Sequence, residues 1–168
     1  MEKAEFYQDA IKGSRGPLEG LKILEATNWG SAPICGALMV DLGAESIKID
    51  MPKVGDPVRH VGPLVGDNKN LDATLYHNIF NRGKRNITLD VRTPEGQALF
   101  KELALSADFI IENFTPGTMS KWGIGYRDIR EIKPDIIYVS ISGFGQYGPL
   151  QKAKSFDPIA QAMAGMMV

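Results

Sequence analysis

A cluster of cations stands where the sequence turns from one predicted element into the next. Arg82, Lys84 and Arg85 come directly before a predicted strand, and Arg92 follows that strand. Lysine and arginine neutralise phosphates, and a guanidinium group binds them in a bidentate way. Runs of charge also mark solvated turns. The pattern therefore leaves two interpretations open, a phosphate site and an exposed turn.

A second stretch places an amide, aromatic rings and a cation close together. Asn113 and Phe114 follow Glu112, and Lys121 and Trp122 come shortly afterwards. Nucleotide bases stack on aromatic faces, and a nearby cation adds electrostatic attraction. Such a pair can equally be core packing, with the lysine reaching towards solvent. An adenine site and ordinary core packing both remain open for this stretch.

Other catalytic arrangements find little support in the composition. The chain of 168 residues has one cysteine and two histidines, so neither a disulfide within the chain nor a zinc site is expected. We interpret Cys35 as a buried structural thiol, and His60 and His77 as surface or hydrogen-bonded residues. Lysine and arginine number 19 against 20 acids, which disfavours nucleic acid as a partner. No signal peptide or apolar stretch long enough for a membrane span is found, and a reducing cytoplasm is expected.

One motif resembles a dinucleotide-binding loop only in its spelling. Gly143, Gly145 and Gly148 match G-x-G-x-x-G after a strand, but Pro149 follows at once and no helix is predicted to open there. Asp50 lies where a ribose-binding acid would stand, yet the first turn lacks the required glycines. We interpret Asp50 as a polar residue at a strand end that faces the crevice. An NAD-dependent oxidoreductase domain stays open as an alternative.

Strands alternate with helices along the chain, which predicts an α/β, doubly wound, mostly parallel, Rossmann-like sheet. Ligands bind such sheets outside the carboxyl ends of the strands, so the loops after the strands are the expected site. We expect a surface loop over 51–69, and a final helix that stops in mid-pattern at Val168. Strands are predicted at 21–26, 45–50, 86–91, 108–112 and 135–142, and helices at 31–42, 71–81, 93–107, 116–122 and 126–132.

Local signals place the ends and faces of two helices. Ser31 is predicted as an N-cap, and the apolar residues of the first helix recur at helical spacing as Ile34, Leu38, Met39 and Leu42. Thr93 followed by Pro94 predicts the start of a later helix. That helix is expected to face the core with Ala98, Leu99, Leu103 and Ala107.

Five stretches together resemble one family, the class III CoA-transferases, the superfamily of formyl-CoA transferase and of carnitine or bile-acid CoA-transferase. They follow the family's order and spacing over most of the chain after residue 15. The stretches are GPLEGLKILEAT (16–27), DLGAESIKIDMPKVGDPVR (41–59), NRGKRNITLDVRTPEGQALFKEL (81–103), ADFIIENFTPGTMSKWGIGY (107–126) and IIYVSISGFGQYGP (136–149).

The resemblance implies transfer of CoA from an acyl-CoA to a carboxylic acid through an aspartyl-acyl anhydride, a form of nucleophilic catalysis. It implies that Arg92 contacts phosphate and that Leu89 makes an apolar contact. It further implies a nucleotide border and an acyl and pantetheine side. The border comprises Asn113, Phe114, Lys121 and Trp122, and the acyl and pantetheine side comprises Ser142, Gly143 and Phe144.

The resemblance also has departures. A basic residue of the family near Met51 and Pro52 is absent, and Gly30 stands where a glutamine is often found. Related racemases carry a histidine where this chain has Phe156, which disfavours racemase chemistry. The nucleophilic aspartate is expected beyond Val168, and Asp157 is expected at a helix start.

The expected organisation is an N-terminal arm over 1–15 and a CoA-binding Rossmann-like domain over 16–168, truncated before the rest of the enzyme. The resemblance implies an interlocked homodimer in the full-length enzyme, or a complementary subunit. A non-catalytic CoA-binding or assembly module is a further alternative.

Overall fold

The fold is built on one parallel sheet. The computed structural model describes residues 16–64, 66, 70–71 and 74–167, so the predicted arm over 1–15 lies outside the described residues. The strands are β1 Lys22–Ala26, β2 Glu45–Asp50, β3 Arg85–Thr88, β4 Phe109–Glu112 and β5 Ile137–Ser140. Their order is β3-β2-β1-β4-β5 and every neighbouring pair is parallel. The predicted α/β architecture is confirmed, although β3 and β5 are shorter than predicted.

Helices connect the strands on both faces of the sheet. They are α1 Ser31–Asp41, α2 Leu75–Phe80, α3 Pro94–Leu105, α4 Thr118–Lys121, α5 Tyr126–Ile132 and α6 Asp157–Met163, with a short 3-10 helix over Pro57–His60. The predicted start of α3 is confirmed, because Thr93 Oγ1 accepts a hydrogen bond from the Gly96 amide at 3.1 Å. The N-cap prediction for α1 is wrong: Gly30 is the cap and Ser31 is the first helical residue.

The inward face of α3 differs from the prediction at Ala98 and Leu99, whereas Leu103 packs against the core and Ala107 is buried, as predicted. Phe100 and Ala104 are fully buried, whereas Leu99 is 49% exposed and Ala98 is exposed. Gly96, Phe100 and Ala104 recur every four residues and so lie on one face. The buried face includes Phe100 rather than Leu99, because the aromatic ring fills the space between helix and sheet.

Small residues of α1 face the sheet, while several large apolar residues in and beside the helix are exposed and Met39 packs against an apolar cluster. Gly36 and Ala37 are buried, whereas Ile34, Leu38 and Leu42 are each more than a third exposed. The reason lies beneath the helix, where a Cβ atom at Gly36 would collide with the Glu25 carboxylate. The α1 backbone can therefore approach the sheet only through residues with little or no side chain.

Two predictions about the irregular segments are corrected. The 51–69 segment is not wholly a surface loop, because Asp56 and Val58 are buried at 1% and 3% exposure. The final helix is not interrupted at Val168, since α6 ends at Met163 and Gly165 adopts a left-handed backbone with φ of 74°. Asp157 does begin α6, as predicted. Within the described part of the chain, no helix is long and apolar enough to cross a membrane.

Candidate functional site

The predicted site residues all follow the carboxyl ends of strands. Leu89 and Arg92 come after β3, the Asn113 to Trp122 group after β4, and Ser142, Gly143 and Phe144 after β5. Since β3 and β5 are the two edges of the sheet, the predicted site residues are distributed over its full width. Four inter-strand spacings amount to about 19 Å. This arrangement suits an elongated ligand better than a compact one.

An aromatic pair forms the middle of this site. The rings of Phe114 and Trp122 meet edge to face with centroids 5.2 Å apart. Both rings, like Leu89, are partly buried and pack against the main apolar core. Lys121 is exposed at the end of α4. The side of the ring pair that faces the core thus fits the core-packing interpretation. The exposed part of each ring, together with Lys121, is accessible to a ligand.

Arg92 is exposed and paired with a neighbouring carboxylate. Its Nη2 lies 2.8 Å from Asp90 Oδ2, and its side chain is 57% exposed. Side-chain and backbone hydrogen bonds from Arg92 lower the pKa of Asp90 to about 2. A phosphate would therefore share this guanidinium with an ionised carboxylate.

The cations before and at the start of β3 are each paired with a carboxylate. Lys84 is buried and its Nζ lies 2.7 Å from Glu25 Oε2. Arg82 pairs with Asp41, and Arg85 pairs with Glu45 at 3.3 Å. Both interpretations of the cluster are wrong for Lys84, because its charge is neutralised beneath α1 rather than presented to a ligand or to solvent.

Asn113 links the loop after β4 to the turn after β1. Its Oδ1 accepts a hydrogen bond from the Asn28 amide at 2.9 Å, and its Nδ2 donates to the Asn28 carbonyl at 2.8 Å. The two polar atoms of this side chain therefore hold a backbone segment of another loop. Asn113 would therefore contribute to nucleotide binding by positioning this turn, or by lying next to the ligand.

The loop after β5 is closely packed on its continuation. Ser142 is half-buried and its Oγ accepts from Gln146 Nε2 at 3.3 Å, while Phe144 is also half-buried. A Cβ atom at Gly143 would collide with Ser155, so only glycine fits there. No helix occurs over the described residues 141–156, and the glycine motif lacks the element that a dinucleotide loop requires.

A cluster of buried charges beside the site was not predicted as a unit. Lys48 is fully buried and lies 2.5 Å from Asp50 and 2.9 Å from Asp56. Burial alone would raise the pKa of Asp50, but Lys48, Asn86 and Arg59 together hold it below its ordinary value. A cleft of about 440 Å³ opens beside Asp50. The signal in the sequence was Lys48 itself, a charge inside an otherwise buried strand.

The remaining candidates are structural. Cys35 is half-buried, and burial together with Glu25 raises the pKa of its thiol, as expected for an inert cysteine. His60 is exposed, whereas His77 is buried and within hydrogen-bonding distance of Asn81. In the parts of the chain with described coordinates, no group of three or more His, Cys, Asp or Glu could hold a metal ion.

Comparison with known proteins places the chain among the CoA-transferases. Residues 18–168 match the family model for CoA-transferase family III, and the chain belongs to that family. It is 41% identical over 150 residues to succinyl-CoA--D-citramalate CoA-transferase of Chloroflexus aurantiacus, covering 89% of this chain and 36% of that protein. It is 43% identical over 152 residues to human succinyl-CoA:glutarate CoA-transferase, covering 90% of this chain and 34% of that protein.

Solved structures show the same relationship. A CAIB/BAIF family protein from Brucella suis matches with a TM-score of 0.84 and 39% identity, over 92% of this chain and 40% of that one. A hypothetical protein from Mycobacterium tuberculosis matches with a TM-score of 0.81 and 35% identity, over 91% and 41%. The chain therefore spans well under half the length of the relatives it matches.

Proposed function

We propose that this chain supplies the CoA-binding part of an enzyme that moves CoA from an acyl-CoA to a carboxylic acid. The observation that carries the proposal is the row of predicted contact residues along the whole carboxyl edge of the sheet. An elongated molecule with a phosphorylated adenosine at one end and a thioester at the other suits a site of this extent. Residues 16–168 form the proposed CoA-binding domain.

The proposed ligand position assigns a role to each part of the edge. The exposed Arg92 guanidinium contacts phosphate, and Leu89 makes an apolar contact beside it. Asn113 and Lys121 border the nucleotide together with the ring pair of Phe114 and Trp122. Ser142, Gly143 and Phe144 line the acyl and pantetheine side.

The proposed reaction proceeds through a mixed anhydride. An aspartate carboxylate attacks the thioester carbonyl, the carbon–sulfur bond breaks, and CoA leaves as the thiolate. The thiolate returns to the aspartyl carbonyl and releases the donor acid. The acceptor carboxylate then attacks this aspartyl thioester, and the returning thiolate converts the new anhydride into the product thioester and free aspartate.

We place the nucleophilic aspartate in the part of the enzyme outside these 168 residues, since the relatives extend far beyond the matched region. An interlocked homodimer, or a complementary subunit, would then complete the site. On this proposal the 168-residue chain binds CoA but does not turn it over. Formation of an acyl-CoA product by the chain alone, followed by mass spectrometry, would contradict this placement.

Calorimetric titration with CoA and with NAD tests the binding proposal. We expect CoA to bind and Arg92→Gln to weaken binding about tenfold, the loss of one charge-assisted hydrogen bond. Arg85→Gln is the matched control, because Arg85 is also an exposed, ion-paired arginine but stands at the opposite end of β3. Preference for NAD, or equal losses in the two variants, would contradict the proposal.

A further inference from the structure

Three successive residues of the turn after β1 are held by side chains from other elements. The Thr27 carbonyl accepts a hydrogen bond from Lys48 Nζ at 3.0 Å. Asn28 is bonded through both its amide and its carbonyl by the side chain of Asn113. The Trp29 amide donates to Asp56 Oδ1 at 3.0 Å. The backbone of this turn is therefore fixed from the β2 side and from the β4 side.

Asp56 is the centre of the β2 side of this arrangement. Its Oδ1 also accepts from the Val58 amide at 3.0 Å, and its Oδ2 lies 2.9 Å from Lys48 Nζ. Asp56 is 1% exposed and Lys48 is fully buried. Removing the two charges from water offsets much of the free energy that their attraction contributes. Apolar residues at the same positions often stabilise a fold equally. A gain in stability alone is thus a weak explanation for this pair.

The turn held by Asp56 has an unfavourable backbone conformation. Trp29 has φ of 61°, in the left-handed region that bulky residues rarely adopt. Its ring is 40% exposed and meets Phe156 edge to face at 6.0 Å. Strained residues of this kind persist where the surroundings fix them, and they concentrate at ligand sites. The amide that Asp56 holds belongs to this strained residue.

The location of the turn connects it with ligand binding. In the strand order β3-β2-β1-β4-β5, the chain passes from β1 to β2 on one side and later reaches β4 on the other. The crevice between the carboxyl ends of β1 and β4 is the topological switch point, where open α/β sheets bind ligands. Asn28 and Asn113 meet across this crevice.

We propose that Asp56, paired with Lys48, is a positioning residue for CoA binding that holds the Asn28–Trp29 backbone in its ligand-ready conformation. This inference rests on the proposed function, because it names what fixes one wall of the same site. Asp56 is too deeply buried to touch the ligand. It acts by sparing the ligand the cost of ordering the turn on binding.

The test compares Asp56→Ala with Asp56→Asn in the 168-residue chain, by calorimetric titration with CoA. Asparagine keeps a side-chain oxygen for the Trp29 and Val58 amides, whereas alanine removes it. In both variants Lys48 keeps Asp50 and the Thr27 carbonyl as partners. We expect CoA affinity within about threefold of the parent chain for Asp56→Asn and at least about tenfold weaker for Asp56→Ala. Ile129→Ala is the control for lost stability, since Ile129 is fully buried in α5.

Hydrogen exchange of the Trp29 amide supplies a second readout that lost stability alone would not reproduce. We expect faster exchange of this amide in Asp56→Ala than in Ile129→Ala under conditions where both variants are folded. If Asp56→Ala does not fold, Asp56→Asn must still keep the Trp29 amide protected and CoA bound, and failure of either overturns the proposal. Unchanged affinity in Asp56→Ala, or an equal loss in Ile129→Ala, also overturns it. Absence of CoA binding by the parent chain would instead refute the proposed function.

Discussion

The two faces of the sheet bury different kinds of side chain, although these come from neighbouring residues of the same strands. On the α3 side, Leu24 of β1 and Ile49 of β2 belong to an apolar cluster closed by Phe100. On the α1 side, Glu25 and Lys48 of those strands are fully buried charges, which lie beside a smaller apolar cluster that includes Ile23 and Ile111. Side chains alternate between the faces of a strand, so a one-residue step separates an apolar core from a buried ionic layer.

This contrast separates what stabilises the fold from what fixes its loops. Burial of apolar surface favours folding wherever it occurs and without regard to direction. The buried charges depend on geometry, and their hydrogen bonds reach the carboxyl edge of the sheet. Lys84 Nζ donates to the Pro33 carbonyl in the first turn of α1 at 2.7 Å, and Lys48 Nζ donates to the Thr27 carbonyl in the turn after β1 at 3.0 Å. We infer that the apolar clusters provide stability and that the buried charges on the α1 side position the carboxyl edge of the sheet.

The largest expected effect is on the charged face, from removal of one member of a buried pair. Lys84→Met leaves the Glu25 carboxylate buried without its cation, which costs about 3–5 kcal/mol of the free energy of unfolding. Urea unfolding of the parent chain and the variant measures this loss.

The double variant Glu25→Gln/Lys84→Met sharpens the same comparison. The glutamine stays within reach of Thr27 Oγ1, which donates to Glu25 Oε2 at 3.1 Å in the parent chain, and neither member of the pair leaves an unpaired charge behind. We expect the double variant to recover at least half of the loss of the single variant. If the loss in the double variant equals the sum of the losses in Glu25→Gln and Lys84→Met, the two residues are not coupled and the expectation is wrong.

A smaller loss is expected on the apolar face. Leu24 is 2% exposed, so Leu24→Ala should lower the free energy of unfolding by about 3 kcal/mol through lost burial and a cavity. No second substitution of a polar partner should restore it, because no pair is broken. Urea unfolding of Leu24→Ala with and without Glu25→Gln measures this. A higher free energy of unfolding in the double variant would show that the two faces do not differ in this respect.

The sequence predicts the sheet well because each strand carries its own signal. Apolar runs between turn residues mark all five strands, and Thr93 followed by Pro94 marks the start of α3. The prediction for the buried face of α3 is confirmed at Leu103 and wrong at Leu99, because Leu99 and Phe100 both fit an apolar stripe and only packing against the sheet decides between them. The buried ion pair of Lys84 could not be predicted, because its partner Glu25 stands 59 residues away in the sequence.

The candidate site likewise has features that the sequence predicts and features that it does not. That its residues follow strand ends could be predicted, since parallel strands bring their carboxyl ends to one edge. The bond between Asn113 and Asn28 could not, because it joins loops 85 residues apart. Nor does any local signal place Trp29 in the left-handed region, a conformation that the surrounding contacts impose.

The smallest expected effect is a pH dependence from His77, a buried histidine close to the charges on the α1 side. Burial lowers the pKa of His77, and Arg59 and Lys48 lower it further against the opposing effect of Asp56 and Asp50. The unfolded chain therefore takes up a proton near its ordinary pKa of about 6.5 while the folded chain resists it. Stability from this group is fully present above that pH and is lost as the pH falls through the lowered value.

We expect the urea midpoint to fall between pH 7.5 and pH 5.5 in the parent chain and in Leu24→Ala by the same amount. His77→Gln should flatten this dependence, because glutamine has no proton to gain and can still accept a hydrogen bond from Asn81. The exposed His60 is common to all three proteins and cancels in the comparison. An unchanged slope in His77→Gln would assign the pH dependence to other groups and would leave the buried histidine without a part in it.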